Sequence, residues 1–317
     1  MIFDFPGVTA IVAVGILGGY LARRTRHSER SLVRWIGAPL AGLLALASLV
    51  ALGVVLRGYW KLNRHYDNPV SSISVELTPE RIARGERLAR ICAGCHAADQ
   101  EPPLEGQDFL GDGEAPPIGR MYAPNLTPIH LGGWSDGEII RAIREGIHKN
   151  GRSLLIMPAS SFRHFSDEDV MAIVAYLRSQ PAVEPDTPPL RLNVLGAVLV
   201  NIAPIFEAQA PITEPVLGPP GGVTREYGGY LASLTCMSCH GEDLGGNLGM
   251  GAPGLIGVGL TWNEDAFRSF FETGIKPDGS AVDGDRMPWE ELRSLFDEDE
   301  LRAIWLYLQD RFAASGG

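Results

Sequence analysis

The chain has 317 residues, 45% of them hydrophobic and 21% charged, which excludes wholesale disorder and leaves room for two ordinary domains and an anchor. A net charge of −11 speaks against a nucleic-acid binder, which carries a basic face. Four cysteines are too few for a disulfide scaffold, and the 38 Gly and 23 Pro show loops without a collagen-like period.

Phe5 to Ala22 is an uncharged run of 18 residues, and Trp35 to Leu56 is a second of 22. At about 1.5 Å per residue the second crosses a hydrocarbon core of roughly 30 Å, and the first just reaches. The two runs predict a transmembrane hairpin over residues 1–60, with spans 5–22 and 35–56. Residues 1–56 hold five Arg against Asp4 and Glu29, and all five lie between the runs; the rest of the chain holds 22 basic and 36 acidic residues. The positive-inside rule puts the Arg-rich loop in the cytoplasm, so the N-terminus and everything after Leu56 face outward. Trp35, Tyr59 and Trp60 stand where interfacial aromatics belong. A cleaved signal peptide fits less well, because residues 1–5 have no basic side chain and Asp4 is acidic.

After a linker over 61–77, residues 78–181 and 223–317 form a repeat. Cys92-Ala-Gly-Cys95-His96 matches Cys236-Met-Ser-Cys239-His240, with Gly85 and Gly229 seven residues before the first Cys of each. Ala123-Pro124-Asn125-Leu126 aligns with Ala252-Pro253-Gly254-Leu255, and Met157-Pro158 with Met287-Pro288. Trp134 precedes Gly146 by twelve residues, as Trp262 precedes Gly274. Thr78-Pro79-Glu80 predicts a helix start, and Ser135 to Glu138 is a capping box. Ser166 opens a helix with Val170, Ile173, Val174 and Leu177 on one face, and Asp297 caps its counterpart through Leu301, Ile304, Trp305 and Leu308. Both units therefore read as all-α with long irregular connections. A unit of roughly 100 residues with three good helices builds a thin core, so something else must fill it.

The stretch 182–222 between the copies is rich in Pro and reads as a linker. Within it, residues 190–206 are apolar but broken by Arg191, Asn193, Asn201 and Pro204, too short to span a bilayer. The segment is expected at the membrane surface, against a partner, or on the neighbouring domains.

Cys-x-x-Cys-His is the attachment signature of c-type haem: two thiols take up the vinyl groups and the adjacent His reaches the iron. All four cysteines fall in two such motifs, 144 residues apart. A zinc site or a redox dithiol would use the Cys pairs but leaves the His in the next position unexplained both times. Two covalent haems are the expectation, held at Cys92, Cys95 and His96 and at Cys236, Cys239 and His240. Met is the common sixth ligand of such iron. Met157 and Met287 follow their His by 61 and 47 residues at matched places, each before a Pro. Met121, His130, His148 and His164 compete in the first copy; in the second, Met250 lies only ten residues past His240, too close to cross easily to the opposite face. The carbonyl of Pro253, and of its counterpart Pro124, either fixes the proximal ring or belongs to a plain turn. Trp134 and Trp262 are expected to pack near the haem pockets, and the acids at 167–169 and 297–300 to serve helix N-termini. No nucleophile–base constellation or phosphate loop stands out, so electron transfer rather than bond-making chemistry is expected.

Cys-Ala-Gly-Cys-His, Pro-Asn-Leu-Thr-Pro (124–128), Trp-Ser-Asp-Gly-Glu-Ile (134–139), Met-Pro (157–158) and Phe-Ser-Asp-Glu-Asp-Val (165–170) resemble class I cytochrome c domains. They are most similar to the cytochrome subunits of membrane-bound alcohol and gluconate dehydrogenases, closely over 78–181 and loosely over 223–312. The resemblance implies axial pairs His96/Met157 and His240/Met287. Those subunits look like three-haem proteins with a cleaved signal, whereas an anchor followed by two haem domains is similar in layout to the di-haem subunit of cbb-type oxidases. The expected protein has two all-α class I cytochrome c domains behind the hairpin. It would relay single electrons at the outer face of a bacterial cytoplasmic membrane as a subunit of a respiratory or photosynthetic electron-transport complex, with other membrane redox subunits and a soluble or membrane donor and acceptor as partners. An anchored acceptor for a periplasmic dehydrogenase is the alternative, and a di-haem peroxidase, which needs an open iron position, a more distant one.

Overall fold

Asp4 starts the first helix, α1 (Phe5–Arg26), by accepting a hydrogen bond from the Gly7 amide, with Pro6 in the first turn. The computed structural model describes residues 2–108, 118–202, 208–249, 251–284 and 286–315. A π-turn at Val33–Gly37 leads into α2 (Ala38–Asn63), which lies along α1. Small residues let the two backbones meet: a Cβ on Gly18 would stand 3.1 Å from the Ala41 carbonyl oxygen and 3.0 Å from the Ala45 nitrogen. The open end is closed by Asn63, which exchanges two 2.9 Å bonds with the backbone of Ile2. Both helices are long and apolar enough to cross a membrane. They run past the expected spans at their far ends, to Arg26 and Asn63, because the helical ladder does not require apolar side chains and continues into polar surroundings.

The first cytochrome-like unit comprises α3 (Pro79–His96), α4 (Pro128–Leu131), α5 (Asp136–Glu145), α6 (Ala159–Phe162) and α7 (Asp167–Ser179). Thr78, Ser135 and Ser166 cap α3, α5 and α7 as their sequence contexts require, Ser135 in a reciprocal capping box with Glu138. Leu88, Ile139, Ile143, Phe165, Ile173, Val174 and Leu177 are buried together where α3 crosses α7. At that crossing a Cβ on Gly85 would fall 1.8 Å from the Ala172 carbonyl oxygen, so only Gly permits the approach.

The second unit repeats the plan with α9 (Arg225–Leu234), α10 (Cys236–His240), α11 (Ile256–Thr261), α12 (Glu264–Thr273), α13 (Trp289–Leu295) and α14 (Glu298–Ser315). Here the crossing glycine is Gly228, whose Cβ would fall 1.8 Å from the Ala303 carbonyl oxygen. Gly229, the residue that sequence spacing selects, faces the Tyr307 ring instead. The reason is an extra residue: α3 runs unbroken through its cysteines, whereas the second copy breaks at Thr235 between α9 and α10.

The two units share a border. Ile91 and Tyr230 pack against both cores. Arg84 on α3 bonds Asp169 of its own unit and Glu300 of the other, and Tyr230 donates to Asp169 while Tyr227 donates to Glu300. Asp169 and Glu300 thus do more than serve helix N-termini.

Short antiparallel pairs tie the loops. β1 (Gln107–Asp108) pairs with β3 (Tyr122–Ala123), and β2 (Gly119–Arg120) pairs with β4 (Arg191–Leu192) in the Pro-rich stretch. That stretch is pinned to the first unit. Asn125 donates to the Val183 carbonyl, the Gln209 amide to the Glu145 carbonyl and the Asp167 amide to the Val216 carbonyl. The apolar segment forms α8 (Val194–Ile202) and packs on the hairpin. Of the expected segment 190–206, residues 203–206 lie outside the described residues.

Candidate haem sites

The first attachment motif ends the helix that Gly85 locks in place, and the second forms a short helix of its own, α10, directly after the helix that Gly228 locks. In the first unit Cys92, Cys95 and His96 occupy the last turns of α3. The chain then turns back, and the Gly106 amide donates to the His96 carbonyl at 2.7 Å. The β1–β3 pair delivers Pro124, whose carbonyl accepts from His96 Nδ1 at 2.7 Å. In the second unit the Gly246 amide donates to the His240 carbonyl at 2.9 Å, and the Pro253 carbonyl accepts from His240 Nδ1 at 2.7 Å. Both prolines therefore orient rings. Their turns are held alike as well, by Leu126 donating to the Leu104 carbonyl and Leu255 to the Leu244 carbonyl.

Asn125 and Thr127 hold the Pro124 carbonyl in the first unit and escaped the sequence reading. Asn125 is fully buried, accepts from both the amide and hydroxyl of Thr127, and donates to the Val183 and Pro185 carbonyls. Their place inside the Pro-Asn-Leu-Thr-Pro string was the available signal. Gly254 stands at the Asn125 position of the second copy, so this clamp belongs to the first copy.

A carbonyl can only accept, so each Nδ1 carries a proton, which leaves Nε2 of the neutral tautomer as the nitrogen that can bind a metal. His96 and His240 are 8% and 6% exposed, and no described residue hydrogen-bonds either Nε2. Burial pushes the His96 pKa down, favouring the neutral ring that a metal needs. Burial also raises the thiols: Cys92 is pushed up to about 12, and Cys95 and Cys236 are shifted the same way.

The Met-Pro loops match in detail. Gly146 and Gly274, both left-handed with φ +66°, end α5 and α12. Leu154 then donates to the Gly146 carbonyl at 2.7 Å, and Val282 to the Gly274 carbonyl at 2.9 Å. Ala159 donates to the Met157 carbonyl and Trp289 to the Met287 carbonyl, both at 2.8 Å. A short helix, α6 or α13, separates each Met from the last helix. Met157 borders the same core as Cys92, and Met287 the same core as Cys236.

Among the described competitors, His130 and His148 have other partners. His130 Nδ1 bonds Asp186 at 2.9 Å, His148 lies edge-on to Trp134 with its Nδ1 accepting from the Asn150 amide, and His164 is exposed. Met121 is buried beside the β-strands. Met250 lies outside the described residues. Trp134 is buried in the first core and Trp262 packs against the second. Two buried imidazoles, each turned by a proline carbonyl on Nδ1 and each with two cysteines just before it in the chain, fit two c-type haems.

Fold and site define a di-haem c-type cytochrome built from tandem cytochrome c domains. Residues 82–181 match the family model described as Cytochrome c, and residues 226–308 match Cytochrome C oxidase, cbb3-type, subunit III. The cytochrome c subunit of Alcohol dehydrogenase (quinone) from Gluconacetobacter polyoxogenes is 30% identical over 275 residues, covering 72% of this chain and 55% of that protein. The Gluconate 2-dehydrogenase cytochrome c subunit of Pantoea cypripedii is 30% identical over 271 residues, covering 72% and 59%. A Diheme cytochrome c-type protein of Cereibacter sphaeroides is 26% identical over 262 residues, covering 72% and 84%. The chain thus spans little more than half the length of the two dehydrogenase subunits.

Proposed function

We propose that this protein is a membrane-anchored electron-transfer subunit that relays single electrons between a donor and an acceptor. The observation that carries the reading is the repeated proximal arrangement, His96 on Pro124 and His240 on Pro253, each at 2.7 Å behind its own attachment motif. Bound haem iron supplies one-electron redox chemistry. The chain's residues bind, orient and insulate it. Cys92, Cys95, Cys236 and Cys239 would tether the two macrocycles, and His96 and His240 would present Nε2 to the irons. The proline carbonyls fix the tautomer of each ring and raise its basicity, a positioning role that tunes the metal. Met157 and Met287 would complete the coordination and raise the potentials. With both positions so filled, no open site would remain for a peroxidase.

The hairpin would hold the haem domains against the membrane. Its Arg-rich loop would face the cytoplasm, and the domains the opposite, periplasmic side of a bacterial cytoplasmic membrane. Partners would be other redox subunits in that bilayer. The alcohol and gluconate dehydrogenase relatives favour one of them in particular, a dehydrogenase whose electrons this chain accepts.

The test is to extract the chain from its native membrane in mild detergent, identify what remains bound and titrate it anaerobically. Two one-electron steps with a dehydrogenase bound are the expected result. A bound oxidase or reaction-centre core would replace the dehydrogenase reading with an integral respiratory or photosynthetic relay. Catalytic turnover of peroxide by the isolated chain would overturn the electron-relay reading.

A further inference from the structure

The helix α8 within the Pro-rich stretch is unlike the rest of the connection. From Leu192 to Ile202 the sequence, Leu-Asn-Val-Leu-Gly-Ala-Val-Leu-Val-Asn-Ile, has no charged residue. It does not lie on a cytochrome core. Its buried side, with Ala197 and Val200, packs among Val55, Tyr59 and Leu62 of α2, and Val8 and Ile11 of α1 border the same cluster.

The contacts fix its depth. Asp4, which caps α1, also accepts from the Val194 amide at 3.3 Å, so α8 and α1 begin at the same level. Further along, a Cβ on Gly58 would fall 1.9 Å from the Ala197 carbonyl oxygen. Further still, Asn201 donates to the Val54 carbonyl at 2.9 Å. As α8 advances from Ala197 to Asn201, its contacts on α2 retreat from Gly58 to Val54. It therefore runs alongside α1 and against α2, from the mouth of the hairpin toward its middle. Leu195 and Leu199, one turn apart, stay 42% and 39% exposed on the side away from the hairpin.

We infer that α8 is a third membrane-embedded element, a short re-entrant helix whose Leu195–Leu199 stripe lies in the lipid acyl chains of the leaflet next to the haem domains. This rests on the hairpin crossing the bilayer, as proposed above. If α1 enters the hydrocarbon near Phe5, a helix that starts beside Gly7 and descends to the level of Val54 enters it too. An apolar stretch too short to span is what a re-entrant segment looks like. Asn201, the polar residue carried deepest, spends its amide on the Val54 and Ala197 carbonyls rather than on lipid. Lipid is the occupant because the exposed stripe continues the lipid-facing surface of the hairpin.

The inference gives the connection a role. α8 follows directly on β4, which is paired to β2 of the first haem domain, and the Asn193 amide donates to the Ile118 carbonyl at 3.0 Å. A buried α8 would seat that domain at a set height and orientation over the bilayer.

The test is site-directed spin labelling of the full chain, carried in lipid discs excised from the native membrane with its neighbours retained. Haem attachment uses all four native cysteines, so Leu195→Cys or Leu199→Cys gives this chain its one reactive thiol; discs with the unsubstituted chain, labelled alike, supply the background from the neighbours to subtract, and haem absorbance verifies each variant. Collisions with oxygen, which concentrates in acyl chains, are compared with those of a water-soluble nickel chelate. Leu46→Cys in the middle of α2 and Leu217→Cys in the linker, 57% and 85% exposed, are the references. The expected result is oxygen contact several-fold above chelate contact at 195 and 199, as at 46, with the reverse at 217. Chelate-dominated contact at 195 and 199, with 46 still in lipid, would overturn the inference and make α8 a wetted surface helix. Exclusion of both reagents would overturn it in favour of a protein partner. Water-like contact at 46 would overturn the anchor itself and the inference with it.

Discussion

Arg84 and Glu300 are 216 positions apart in the chain, yet their side chains meet at 3.1 Å, one from each cytochrome domain. Arg84 also grips Asp169 with two bonds of 2.9 and 3.0 Å, and Tyr227 and Tyr230 close the arrangement from the second domain. Burial works against the guanidinium's charge, but the bonds and charge of Asp169 together with Tyr227 and Glu300 outweigh it and raise its pKa. The planar fork grips Asp169 through two nitrogens while its third reaches Glu300, a fixed bidentate geometry that an ammonium does not offer.

Removing that guanidinium leaves Asp169 and Glu300, whose side chains are 11% and 6% exposed, without their common cation. Arg84→Met is expected to cost about 3 kcal/mol, the usual penalty for stripping one partner from a buried ion pair. Calorimetry should show the two domains melting separately, with both haem spectra intact. The exposed pair Arg302–Glu264 is the control; Arg302→Met should change stability by less than about 1 kcal/mol.

The crossing glycines separate structural equivalence from sequence spacing. Gly85→Ala and Gly228→Ala each drive a Cβ to 1.8 Å from a carbonyl oxygen, and backbone cannot rotate aside. Each should destabilise its own domain by about 3 kcal/mol, read as a lowered Tm and reduced haem content. Gly229→Ala meets the Tyr307 ring at 3.0 Å, which a side-chain shift relieves, and should be the mildest of the three.

If Met157 and Met287 are the distal ligands, Met157→Ala and Met287→Ala should each lower one of the two reduction potentials and leave the other in place. A redox titration with spectra at each step checks this. An unchanged titration in either variant would refute that assignment.

His148 predicts a pH dependence confined to the first domain. Burial, then the charge of Arg152, push its pKa down to about 4 from 6.5. The folded domain holds it neutral while the unfolded chain takes the proton more readily. Its contribution is thus fully present above pH 6.5 and is lost as pH falls toward 4. Over that window the first domain should lose about 1 kcal/mol, allowing for the ring's partial exposure. His148→Gln should flatten the slope in calorimetric scans.

The sequence by itself determined the local chemistry: two Cys-x-x-Cys-His motifs, two apolar runs, a duplicated helical unit and the caps at Thr78, Ser135, Ser166 and Asp297. Each is a short-range pattern whose meaning depends on neighbours a few residues away. The tertiary structure decided the long-range pairings. It made Gly228 the counterpart of Gly85, because the break at Thr235 shifts the crossing by one residue. It turned Pro124 and Pro253 from turn residues into ring-orienting carbonyls. It drew Asp169 and Glu300 from helix starts into an interdomain ion network, and it laid an apolar linker segment against the hairpin. Those choices turn on which surfaces are buried together, and spacing along the chain carries no information about partners a hundred or more residues away.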